Sequence, residues 1–191
     1  MSQDLIYKLY SDKKTVFTLQ EIAMLVDEPD FNKLKQRINY YVRTNKIKNP
    51  RRSIYTKEEY SVEELACKIY KPAYISLEYV LQKSGIVFQY NSRVTAISYL
   101  SRTINIDGYE IAYRKIKNDI LYNTTGIIMY DNGISMATPA RAFLDTLYLN
   151  KEYYFDSLEA IEKEEVRKIL PVYQSGRLIK QVQKIIKDAG S

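Results

Sequence analysis

The 191-residue chain contains no histidine, and that absence removes the imidazole general base, the Ser-His-Asp and Cys-His constellations and every His-containing zinc site. An enzyme built from this composition would have to work with carboxylates, lysine or tyrosine. The single cysteine, Cys67, cannot close an internal disulfide. It lies in SVEELACKIY, where Val62, Leu65, Ala66 and Ile69 have helical spacing, so a core position is expected. Only six glycines occur, none in a phosphate-cradling pattern, so neither a nucleotide-binding loop nor a cofactor is expected. No apolar run approaches the roughly 20 residues that span a bilayer. The segment MSQDLIYKLYSDKK lacks the apolar core and small-residue cleavage site of a signal peptide. The expectation is a cytoplasmic protein with no membrane association.

Acidic residues are also missing from one long window. Between Asp30 and Glu58 there is no Asp or Glu, but there are nine cations: Lys33, Lys35, Arg37, Arg43, Lys46, Lys48, Arg51, Arg52 and Lys57. Residues 1–57 hold 12 basic and 6 acidic side chains, whereas residues 58–191 hold 17 of each, so the whole +6 excess sits in the first third. A basic block of this kind points to a polyanion, because phosphate neutralisation with counterion release supplies most nonspecific nucleic-acid affinity.

The local patterns in that third give the charge an architecture. Leu5, Ile6 and Leu9 predict a helix over residues 3–11, followed by a short apolar step at Val16 and Phe17. Thr18 and Glu21 form a capping-box pattern before Leu19, Ile22, Ala23 and Val26. Glu28-Pro29-Asp30 breaks this second helix and offers Asp30 as the cap of a third. There Phe31, Leu34, Ile38, Tyr41 and Val42 make a docking stripe. At about 100° per residue, Asn32, Lys33, Gln36, Tyr40 and Arg43 project opposite the stripe, with Arg37 on its flank. Lys46-Ile47-Lys48 and Ser53-Ile54-Tyr55-Thr56 alternate as two short strands around Asn49-Pro50-Arg51-Arg52. Helix, strand, helix, turn, basic helix and basic hairpin is the layout of a winged helix-turn-helix. It predicts a DNA-binding domain over residues 1–57. Its contacts would come from Asn32, Lys33, Gln36, Arg37, Tyr40 and Arg43 on the helix and from Lys46, Lys48, Arg51 and Arg52 on the wing.

Residues 58–191 are charge-neutral and rich in tyrosine, and their pattern predicts a second, α+β domain. Ser61 and Glu64 suggest another capping box, for a helix to about Tyr70, and Ser76 a cap for a helix from Leu77 to Lys83. Short β-rich runs follow at 86–89, 94–100, 103–106, 109–115 and 126–129, with a hairpin signal at Asp107-Gly108, predicting a meandering, mostly antiparallel sheet. Thr138-Pro139 opens a helix with Thr as cap and Pro at its first position. Within it Arg141 and Asp145 have the i, i+4 spacing of a helix-surface pair. Residues 157–188 read as helical, broken near Pro171 and Gly176. Asp107 and Glu110 raise the question of a metal-dependent nuclease, but Ala112 stands where that pattern needs a lysine, so no catalytic or metal site is expected.

Three stretches, TyrIleSerLeuGluTyr at 74–79, TyrGluIleAlaTyrArgLysIle at 109–116 and above all AlaThrProAlaArgAlaPheLeuAspThrLeuTyrLeu at 137–149, resemble the AbiEi family of antitoxins. The last stretch is the specific one, with Thr138, Pro139, Arg141, Phe143 and Asp145 as its motif residues, although Ala140 stands where a Glu is usual. The resemblance implies a type IV toxin-antitoxin, or abortive phage-infection, protein. Its winged helix would repress its own operon on double-stranded operator DNA, and its second domain would counter a nucleotidyltransferase toxin. A homodimer is compatible with this reading. The alternative is a transcription regulator whose second domain serves as a sensor or protein-interaction unit without a toxin partner.

Overall fold

A computed structural model describes residues 2–188 of the chain. It is a mixed α+β protein with two sheets and two hydrophobic clusters. Helix α1 (Ser2–Ser11) leads to strand β1 (Val16–Thr18), and then to α2 (Leu19–Val26) and α3 (Phe31–Arg43). A hairpin of β2 (Lys48–Arg51) and β3 (Ile54–Thr56) completes a three-stranded sheet in the order β1-β3-β2.

The local signals account for these elements. Thr18 Oγ1 accepts from the Glu21 amide while the Glu21 carboxylate accepts from the Thr18 amide at 2.7 Å, so the capping box is complete. Asp27 ends α2 in the left-handed conformation, at φ 54°. The Asp30 carboxylate then caps α3 by accepting from the amides of Asn32 and Lys33. Leu34, Ile38 and Tyr41 of α3 pack with Leu5, Leu9, Phe17 and Ile22 in the smaller cluster. Phe31 does not join them. It is 44% exposed, because the cap at Asp30 sets the helix origin at the edge of the cluster.

The first strand of the hairpin starts two residues, and the second one residue, later than the alternation suggested. Its strands start at Lys48 and Ile54, and the turn is Arg52-Ser53, with Ser53 at φ 62°. Asn49 draws the strands into this register by donating to the carbonyls of both Arg51 and Ile54.

The larger unit holds α4 (Val62–Ile69), β4 (Ala73–Ile75), α5 (Glu78–Lys83), β5 (Val94–Ser98), β6 (Arg102–Ile106), β7 (Tyr109–Lys115), α6 (Asn118–Leu121), β8 (Ile127–Met129) and β9 (Ser135–Ala137). It ends with α7 (Pro139–Leu149), α8 (Lys163–Ile169), a 3-10 turn (Leu170–Tyr173) and α9 (Gly176–Asp188). The breaks expected near Pro171 and Gly176 are therefore present, but residues 157–162, expected as helix, are turn and loop.

The six strands are ordered β6-β7-β5-β4-β9-β8. Three neighbouring pairs are antiparallel, but β5–β7 and β4–β9 are parallel, so the expected simple meander does not form. The physical reason is that Asp107-Gly108 closes a tight hairpin whose second strand, β7, slots between β6 and β5. Residues 86–89 are not a strand. Ile86 is fully buried, and its carbonyl accepts from the amides of Asp156 and Ser157, which holds the segment as a loop against the core.

The two clusters are not sealed from each other. Val16 and Ile54, from the small sheet, are part of the larger core. The Ser61 hydroxyl caps α4 as expected, but the Glu64 carboxylate does not return to Ser61. It reaches the small unit, accepting from the amides of Thr15 at 2.7 Å and Val16 at 3.0 Å, and takes a third bond from Asn132. Lys68 of α4, with its side chain buried, lies 2.5 Å from the Glu21 carboxylate. Burial opposes ionisation of Glu21, but hydrogen bonds from Lys68 and Thr18 outweigh it and hold the carboxyl below its ordinary range.

Candidate nucleic-acid interface

The exposed face of α3 follows directly from its buried one. With Leu34, Ile38 and Tyr41 turned inward, Asn32, Lys33, Lys35, Gln36, Asn39, Tyr40 and Arg43 are left on the solvent side. No carboxylate belongs to this helix. Apart from the capping Asp30, the acid that meets it is Glu28 in the preceding turn, 3.2 Å from Lys33 Nζ and 3.8 Å from Arg37. It steadies the first turns and leaves the far end cationic, where Arg43 makes no ion pair with another described residue. Tyr40 stands 55% exposed, its ring packed edge-to-face with that of Tyr41. The helix is about 20 Å long at 1.5 Å per residue and presents amide, phenol, ammonium and guanidinium donors along one side. That set can hydrogen-bond base edges and neutralise phosphates.

The hairpin divides the expected basic residues. Lys46 and Lys48 are exposed, Lys48 lying 5.8 Å above the Tyr60 ring. Arg52 is exposed at the turn. Arg51 is half-buried: its guanidinium donates to the Tyr70 hydroxyl at 3.1 Å and stacks 5.0 Å from that ring. It links β2 to the larger unit, a tether that its expected companion on the wing, Arg52, does not have.

The motif residues of α7 form a second cluster, and it faces inward. Thr138 caps the helix by accepting from the Arg141 amide, with Pro139 at its start. Phe143 is buried against Phe155. Arg141 and Asp145, expected as a surface pair, are both completely inaccessible. The Arg141 guanidinium donates to the carbonyls of Thr125 and Ile120 and to the Tyr74 hydroxyl. Asp145 accepts from Tyr74, Ser76 and Tyr173, the last at 2.6 Å. Burial keeps the two phenols well above their ordinary pKa, so they remain donors. Arg141 Nε lies 3.4 Å from Asp145 but makes no hydrogen bond. Ser76 serves this network and does not cap α5, which begins after Leu77 without a side-chain cap.

The remaining candidates are already paired. Asp107 accepts from Tyr60, and Glu110 forms an ion pair with Arg93. Cys67 is buried as expected, which pushes its thiol up to about 11. Among the described residues no helix is long and apolar enough to cross a membrane. Sequence reasoning missed Glu64, Lys68 and Ser76, whose partners lie 47 to 69 residues away. No local signal marks such pairings. No family model matches the chain, and no curated protein matches it.

Proposed function

We propose that residues 1–57 form a winged helix-turn-helix that binds double-stranded DNA, and that the protein is an autorepressing antitoxin of the AbiEi type. The observation that carries the DNA reading is the acid-free, outward face of α3. Gln36 and Asn32 carry the paired donor and acceptor of a side-chain amide, the group that recognises adenine bidentately in the major groove. Lys33, Arg37 and Arg43 supply charge toward the sugar–phosphate strands, and Tyr40 supplies a hydroxyl between them. Lys46, Lys48 and Arg52 extend the same cationic side beyond the helix. Occupancy of an operator by this surface would exclude polymerase, which is the simplest route to repression.

The antitoxin part of the proposal rests on the resemblance in residues 137–149. Those residues belong to the core, so they would support a toxin-countering surface without forming it. The partner would be a nucleotidyltransferase toxin, countered by contact or by acting on the same substrate.

Two measurements test the proposal. In gel-shift titrations with DNA upstream of the protein's own operon, selective binding over a scrambled duplex is expected, and equal affinity for both would sink the operator assignment. In a co-expression growth assay, the protein should relieve the toxicity of a nucleotidyltransferase encoded beside it. Selective DNA binding without relief would favour a regulator that has no toxin partner.

A further inference from the structure

An open groove runs between the two units, next to α3 but outside the face described above. Its walls include Gln20 and Met24 of α2, Phe31 at the head of α3, Arg52 in the hairpin turn, and Ile69 and Lys71 at the end of α4. Met24 and Phe31 are 69% and 44% exposed, so the groove has an apolar as well as a charged lining. The groove has an excess of positive charge. Its carboxylate, Glu21, is held by Lys68 at 2.5 Å, whereas Arg52 and Lys71 are exposed and make no ion pair with another described residue.

The geometry points to a sugar–phosphate strand of duplex DNA as the occupant of this groove, with Lys71 as a DNA contact supplied by the larger unit. The inference rests on the DNA-binding reading and deepens it. A nucleic-acid backbone alternates anionic phosphates with apolar sugar faces, and the groove offers cations at its rim with Met24 and Phe31 beside them. It is continuous with the proposed reading helix through Phe31 and with the hairpin through Arg52. Lys71 follows directly on α4, which is anchored: Lys68, three residues earlier, is bonded to Glu21, and Glu64 to the backbone of Thr15 and Val16. The backbone that carries Lys71 is therefore tied to α2 and β1 through α4, although it lies outside the first 57 residues.

The test is the salt dependence of binding to an operator duplex of about 30 base pairs, measured by fluorescence anisotropy between 50 and 200 mM salt, for wild type, Lys71→Ala, Lys71→Arg and Arg43→Ala. A lost phosphate contact lowers the slope of log affinity against log salt by about 0.9. Lys71→Ala should show that decrease, with the same fold-loss of affinity on operator and scrambled DNA, while Lys71→Arg restores both. Unchanged thermal melting of the alanine variant would show that the loss is not one of folding. A wild-type slope in Lys71→Ala beside a reduced slope in Arg43→Ala overturns the inference alone, and is also the outcome if the groove holds an acidic protein segment. Absence of duplex binding by the wild-type chain overturns both readings.

Discussion

Helices α3 and α7 begin alike and end up with opposite tasks. Each starts at an oxygen cap, Asp30 or Thr138, and each carries arginine beside an apolar face. In α3 Lys33 and Arg37 pair with Glu28 in the preceding turn, while Lys35 and Arg43 face water. In α7 the one arginine is sunk into the core and surrounded by acceptors at Asp145, Tyr74, Thr125 and Ile120. The difference teaches where each charge does its work. A guanidinium satisfied inside the protein stabilises a unique arrangement and offers nothing to a ligand. An exposed one contributes little to folding and keeps its binding capacity.

The sharpest way to break the comparison is to remove the buried charge. Arg141→Ala should destabilise the larger unit by about 3–5 kcal/mol, read by urea denaturation, because Asp145 would be left buried without its cation. Arg141→Met with Asp145→Leu should cost less than the sum of the two single changes. Additivity would show that the two residues do not act as a pair. Gly126→Ala probes the wall of the same network. Gly126 sits at φ +75°, where an added Cβ would lie 2.5 Å from Ile169 Cδ1 and 3.0 Å from Arg141 Cβ. A loss of about 1–3 kcal/mol is expected from the overpacking and the left-handed backbone together.

On the exposed helix the pattern should reverse. Gln36→Ala is expected to leave the melting temperature unchanged and to reduce discrimination between operator and scrambled DNA by about 1–3 kcal/mol, with a smaller effect on nonspecific affinity. A drop in both affinities by the same factor would assign Gln36 to the backbone instead.

A smaller effect separates the two environments by pH. Glu63, at the start of α4, is held down to about 2: burial pushes the other way, but hydrogen bonds from Tyr79, Ser61 and Lys83 prevail. A carboxyl depressed on folding adds stability above its unfolded pKa, about 4.3, and that stability is lost as pH falls toward 2. The urea midpoint of Glu63→Gln should therefore approach that of wild type as the pH is lowered from 6 to 3. The exposed face of α3, which has no acidic residue, should contribute nothing to that convergence.

These contrasts also mark what could be read from the sequence. Thr18 with Glu21, Asp30, and Thr138 with Pro139 announced their helices because a cap and its amide partners lie within three residues. The phasing of α3 was legible for the same reason: Leu34, Ile38 and Tyr41 recur at the helical period, so the opposite face follows. Long-range partners were not legible. Glu64 fits a local capping box and is used by a distant strand instead. Ser76 has the composition of a cap but donates to Asp145. Arg51 and Arg52 are identical neighbours in sequence, yet Arg51 turns to Tyr70 while Arg52 stays in water. Strands β4 and β9 are three residues each, too short for alternation to reveal, and they exist because the sheet brings them together.

The bonds from Glu64 to Thr15 and Val16 have a consequence for how such a protein could be assembled over evolutionary time. A recombination event that cut the gene after the hairpin would deliver three helices with the backbone amides of Thr15 and Val16 left bare, and with Val16 and Ile54 stripped of their cover. A transferable cassette would have to carry α4 with it. The heritable unit is therefore longer than the charge pattern implies, and any graft of this head onto another body should be joined beyond residue 71.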